Sequence, residues 1–82
     1  MEVVPPHNIL LLTGLPEGVT EMSLTMLFSA YPGFREVRMV PGRVDVAFVE
    51  YATEQCAGEA KRGLSGHALS ETHKLNVNYA RK

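Results

Sequence analysis

The sequence predicts an α+β sandwich, a four-stranded antiparallel sheet in βαββαβ order backed by two helices. Three observations predict it. Leu10-Leu11-Leu12-Thr13, running into Gly14-Leu15-Pro16, reads as a strand closed by a loop. Val44-Asp45-Val46-Ala47-Phe48-Val49-Glu50-Tyr51 reads as a second strand whose alternate residues are apolar. An amphipathic helix and a short strand fit between the two, and another helix and a last strand fit after them. The 82 residues make one domain, which buries only about 60% of its unfolded surface and needs an economical core.

The elements follow in order. Residues 1–7 contain Pro5-Pro6 and read as a lead-in or linker, leaving 8–82 as the folded unit. The first strand is expected over 8–13, with Leu10 and Leu12 on one face and Leu11 and Thr13 on the other. Thr20 suits the N-cap of the first helix, and Glu21 suits the positive end of its first turn. Leu24, Leu27, Phe28 and Tyr31 stand at i, i+3, i+4 and i+7 and form one apolar stripe, which Met22 and Met26 are expected to widen. Pro32 cannot continue that helix. The second strand is expected over 34–40, with Val37 and Met39 inward, and Pro41-Gly42 suits a type II turn.

The third strand is expected over 43–51, with Ala47, Val49 and Tyr51 inward. Thr53 suits the cap of a second helix that runs to Leu64 on a narrow stripe of Ala57, Ala60 and Leu64. Gly58 and Gly63 each cost such a helix about 1 kcal/mol relative to Ala, which close approach to the sheet at Gly58 would explain. Gly66 is a natural stop. Residues 67–73 connect, with room for a short extra hairpin, and the last strand is expected over 74–80, with Leu75, Val77 and Tyr79 inward. Both helices cover the inward face. The other face stays open and carries Leu11, Thr13, Glu36, Arg38, Val40, Val46, Phe48, Glu50, Asn76 and Asn78.

Composition narrows the function. With 45% apolar and 21% charged residues the chain is ordinarily globular. No apolar run approaches the roughly 20 residues of a membrane helix, and no secretory leader is evident, so no membrane partner is expected. Cys56 is the one cysteine, and three scattered histidines make no metal motif with it, so no metal or cofactor is expected. No nucleophile–base pair stands out, and the loop at 14–18 has neither the glycine spacing and lysine of a phosphate loop nor the anion-binding arginine of the acyl-phosphate hydrolases that share this topology, so no enzymatic activity is expected. A net charge of −1 argues for weak nucleic-acid binding at most, because phosphate neutralisation supplies most of such affinity.

The two signature strands give the chain its resemblance to the RNA recognition motif, a ferredoxin-like fold. The family's first-strand hexamer (apolar, aromatic, apolar, any, Asn, Leu) stands here as Leu10 to Leu15. Its third-strand octamer opens with a basic residue and Gly and places aromatics third and fifth. Here Val44-Asp45 replaces the opening pair, Val46 replaces the first aromatic, and Phe48 retains the second. Two of the three stacking positions, Leu11 and Val46, are thus aliphatic. Within the family, Met26-Leu27-Phe28, the run from Tyr31 through Arg38, Val40-Pro41-Gly42-Arg43, Asp45 and Ala47-Phe48-Val49-Glu50 resemble the second, C-terminal motif of the spliceosomal U-one A and U-two B-double-prime small nuclear ribonucleoprotein proteins. That resemblance implies a nuclear module for pre-mRNA splicing.

It also implies which residues meet RNA. Phe48 is the candidate stacking ring. Leu11, Val40 and Val46 make an apolar patch around it, which serves either RNA or a protein partner of the spliceosome. Arg38, Arg43, Arg81 and Lys82 are candidate phosphate contacts. Thr13, Asn76 and Asn78 are candidate base contacts; a plain polar strand face is the alternative for the asparagines. Glu36 and Glu50 share the face and repel phosphates unless Arg38 pairs with them across the strands. Two functions therefore remain open: a weak binder of single-stranded RNA, or a protein-interaction module that has kept the fold and lost the ligand. A monomer is expected, since no apolar stripe is left over.

Overall fold

The computed structural model describes residues 7–16, 18–42, 45–68 and 74–80. Its elements are β1 (Ile9–Thr13), α1 (Glu21–Phe28), β2 (Phe34–Met39), β3 (Ala47–Tyr51), α2 (Glu54–Leu64) and β4 (Asn76–Tyr79). The strands form one antiparallel sheet in the order β2-β3-β1-β4. β3 and β1, the two signature strands, are therefore the central pair. The helices lie on one face, α1 against β2 and α2 across β1, β3 and β4.

The core follows from the period of two along the strands. Leu10 and Leu12 of β1, Ala47, Val49 and Tyr51 of β3, and Val77 of β4 point inward and are buried. Leu24 and Phe28 meet them from α1, and Ala57, Ala60 and Leu64 from α2. The small residues on α2 let that helix lie close to the sheet. Tyr51 is fully buried, and its hydroxyl donates to the Phe28 carbonyl at 2.8 Å, tying β3 to the last turn of α1.

Both helices start where a cap residue permits. Thr20 Oγ1 accepts from Ser23 N–H at 3.1 Å, and Thr53 Oγ1 accepts from Cys56 N–H at 3.1 Å. At the turn after α1, Gly33 holds a φ of +85°, and a Cβ there would stand 2.6 Å from Cys56 Sγ. That position needs glycine for both backbone and space. Gly42 and Gly66 also take positive φ, as the expected turn and helix stop require.

Several boundaries and faces differ from expectation. Met22 and Met26 do not widen the apolar stripe of α1, being 74% and 73% exposed. Each stands two places from Leu24, and so about 200° around the helix from it, on the side away from Leu24, Leu27 and Phe28. α1 ends at Phe28, so Tyr31 reaches the core from the following turn. β3 begins at Ala47, and Val46 precedes the strand; positions 43 and 44 lie outside the described residues. β2 ends at Met39, one residue before the expected Val40. β4 spans four residues where seven were expected; Lys74 instead pairs with Ala68 as an isolated bridge, and residues 69–73 of the expected hairpin lie outside the described residues.

Gly58 does permit close approach: a Cβ there would stand 2.9 Å from Tyr79 Oη. Gly63 has a reason the sequence did not disclose. Its Cβ would overlap the Tyr31 ring, running into Oη and standing 2.7 Å from Cζ.

Candidate nucleic-acid interface

The strand register builds the open face. Phe48 pairs with Leu11 on one side and with Arg38 on the other, and Leu11 pairs in turn with Asn78. Arg38, Phe48, Leu11 and Asn78 thus form one row across all four strands, with the aromatic ring near its middle. Thr13 pairs with Asn76 in a second row. The Asn76 amide rests against Gly14, where a Cβ would stand 3.1 Å from Nδ2. Val40 and Val46 are half-buried just beyond the ends of β2 and β3. Of the ten candidate contacts, Leu11, Thr13, Arg38, Val46, Phe48, Asn76 and Asn78 lie within the described structure. Arg43, Arg81 and Lys82 lie outside the described residues.

The charges on this face pair differently from expectation. A bulge at Arg35 puts an extra residue into β2, so that Phe34 pairs with Tyr51 and Glu36 with Glu50. It also lets Phe34 turn inward, edge-on to Tyr51 at 5.9 Å. Arg38 then bonds Glu36 along its own strand, Nη2 to Oε1 at 2.9 Å, rather than across to β3. Among the described residues, Glu50 has its nearest cation in Arg35, at 4.0 Å. Such exposed pairs contribute little to stability. They do set the charge a ligand meets, which among the described residues of the face is close to balanced.

Sequence reasoning missed one end of the face. His7, Ile9, Phe48, Glu50 and Ala80 line an open depression of about 230 Å³, closed on the β2 side by Glu36 and Arg38. Ile9 pairs with Glu50, and Ala80 N–H donates to the Ile9 carbonyl at 2.9 Å. His7, expected in the lead-in, is half-buried, and its Nδ1 accepts from Ile9 N–H at 3.1 Å. The signal was available: extending the alternation back from Leu11 by two places reaches Ile9.

An open sheet face with a central aromatic ring, backed by two helices, is the architecture of an RNA-binding class of domain. The chain belongs to the RNA recognition motif family, whose model matches residues 10–75. It is 50% identical, over 95% of its length, to U1 small nuclear ribonucleoprotein A of Drosophila melanogaster, of which it covers 36%. It is 38% identical, over 99% of its length, to U2 small nuclear ribonucleoprotein B'' of Arabidopsis thaliana, of which it covers 35%. The chain therefore spans about a third of the length of these relatives. Among solved structures it resembles the MEC-8 C-terminal RRM domain bound to AGCACA, with a TM-score of 0.77, 33% identity and coverage of 90% of each chain.

Proposed function

We propose that this chain is an RNA-recognition module of a spliceosomal small nuclear ribonucleoprotein protein, acting in the nucleus and binding single-stranded RNA weakly through its open sheet face. The observation that carries the proposal is the row Arg38–Phe48–Leu11–Asn78, which crosses all four strands with one ring at its centre. The likeness to U1 A and U2 B'' proteins supports the splicing setting, and the structure solved with AGCACA supports a nucleic-acid ligand for this kind of sheet. The folded module is taken as residues 8–82, with 1–7 as a lead-in.

Weak binding follows from the residues. One ring stacks one base, and a stacked base contributes about 1–3 kcal/mol. Leu11 contacts a base without ring geometry, and Arg38 comes to a phosphate already engaged by Glu36. Phe48→Ala should weaken binding of a short degenerate single-stranded RNA by roughly tenfold, read by fluorescence anisotropy, with an unchanged amide spectrum showing that the variant is folded. Equal affinity for both proteins would remove the assignment.

A second reading has its own observation. Leu11 is aliphatic at a stacking position, and the described face carries nearly balanced charge. Both suit a protein partner of the spliceosome better than a polyanion. Capture of one defined partner from ribonuclease-treated nuclear extract, abolished by Leu11→Ser, would favour it.

A further inference from the structure

We infer that Glu50 selects the base that stacks on Phe48, favouring guanine over uracil. The inference rests on the RNA-binding reading above. Glu50 follows Phe48 by two places on β3, so both side chains stand on the open face, roughly 7 Å apart along the strand. Both line the same depression, whose volume of about 230 Å³ lies below the roughly 300–1,000 Å³ of a drug-sized pocket and is of the scale of one base. A base resting on the ring would lay one edge toward the carboxylate.

The chemistry of that edge follows from what the carboxylate can accept. Ionised, it offers two acceptor oxygens and no donor. Glu36, opposite it in the register, has an oxygen engaged by Arg38 at 2.9 Å. Among the described residues Glu50 meets a cation in Arg35, at the longer distance of 4.0 Å, and its side chain is 30% exposed, which leaves it accessible to a ligand. Guanine presents two adjacent donors, N1–H and the N2 amino group, with the spacing of a carboxylate fork. The edge of uracil carries two carbonyl oxygens around a single N–H and would meet the charge with repulsion. The placement also accounts for an acidic residue beside the ring on a face that meets RNA: it costs general affinity and returns discrimination.

The test uses four fluorescent pentamers, uridine at every position but the centre, with guanine, adenine, cytosine or uracil there. Binding is measured by anisotropy to the wild-type chain, Glu50→Gln and Phe48→Ala. A bidentate contact on an exposed face should favour the guanine pentamer over the uracil one by roughly five- to tenfold. Glu50→Gln should abolish that preference while leaving the uracil pentamer bound as well as before or better. Phe48→Ala should weaken all four. Equal affinities of the wild-type chain for all four pentamers would overturn the inference and leave the RNA-binding reading intact. A guanine preference that persists in Glu50→Gln would also overturn it. Absence of binding to any pentamer would overturn both.

Discussion

At the scale of single residues, Tyr51 shows how the core and the open face are built from one strand. Its neighbour two places back, Val49, is also buried, while Phe48 and Glu50 between and beside them face out. The Tyr51 hydroxyl bonds the Phe28 carbonyl, which also accepts from Tyr31 N–H at 3.1 Å. Tyr51→Phe therefore leaves that carbonyl with one partner, and should cost about 1 kcal/mol in urea unfolding. Burial pushes the phenol well above the ordinary tyrosine range, with Tyr31 and then Cys56 adding to the effect. The folded state thus holds the proton more tightly than the unfolded chain. The resulting stability is present in full below about pH 10 and is lost as the pH rises above it. The wild-type protein should lose stability from pH 10 upward faster than Tyr51→Phe, so the gap between them narrows. A gap that stays constant to pH 11 would contradict the buried hydrogen bond.

At the scale of elements, the two glycines of α2 should behave differently when each is changed to alanine. Alanine gains about 1 kcal/mol of helix propensity at either site. At Gly58 the new Cβ meets only the end of the Tyr79 side chain, at 2.9 Å, so the change should be near neutral. At Gly63 it overlaps the Tyr31 ring over three atoms, and Tyr31 must leave its place against the core. Overpacking of that kind costs about 1–3 kcal/mol, which outweighs the propensity gain. Thermal unfolding of both variants should separate them, Gly63→Ala melting lower than the parent and Gly58→Ala close to it. Equal melting temperatures would mean that Tyr31 has room to move.

The elements were also where the sequence was most legible. Capping at Thr20 and Thr53, the stripe Leu24–Leu27–Phe28, and the alternation in β1, β3 and β4 each rest on local chemistry, and all appear as expected. What the sequence hid is relational. The exposure of Met22 and Met26, by contrast, was legible, since each stands two places from Leu24 and so on the far side of the helix. The Arg35 bulge depends on Phe34 finding Tyr51. The depression beside Phe48 depends on His7 and Ala80, which are far apart in sequence, both coming to line it. The outer-face residues from Leu11 to Asn78 were readable from the period of two, but their arrangement into one row needed the register.

At the scale of the whole molecule, the balance of charge governs what can be bound. A net charge of −1, with Arg38 held by Glu36, leaves few cations to neutralise phosphates among the described residues. Each phosphate neutralised on a single strand contributes about 0.7 to the slope of log affinity against log salt. One or two contacts would give a slope of about −1, far shallower than that of a basic binder. Anisotropy titrations across a range of potassium chloride should show that shallow slope. A slope of about −3 or steeper would mean that many more cations engage the ligand.

The central claim is that the open face, centred on Phe48, is where RNA is met. It is tested most directly by titrating the nitrogen-15-labelled domain with short degenerate single-stranded RNA at low and physiological salt, following every amide. The expected result is a set of saturating shifts centred on Leu11, Phe48, Glu50 and Asn78, with the helix residues from Glu54 to Leu64 unmoved. Amides that stay silent at both salts, or shifts confined to the helical side, would contradict it.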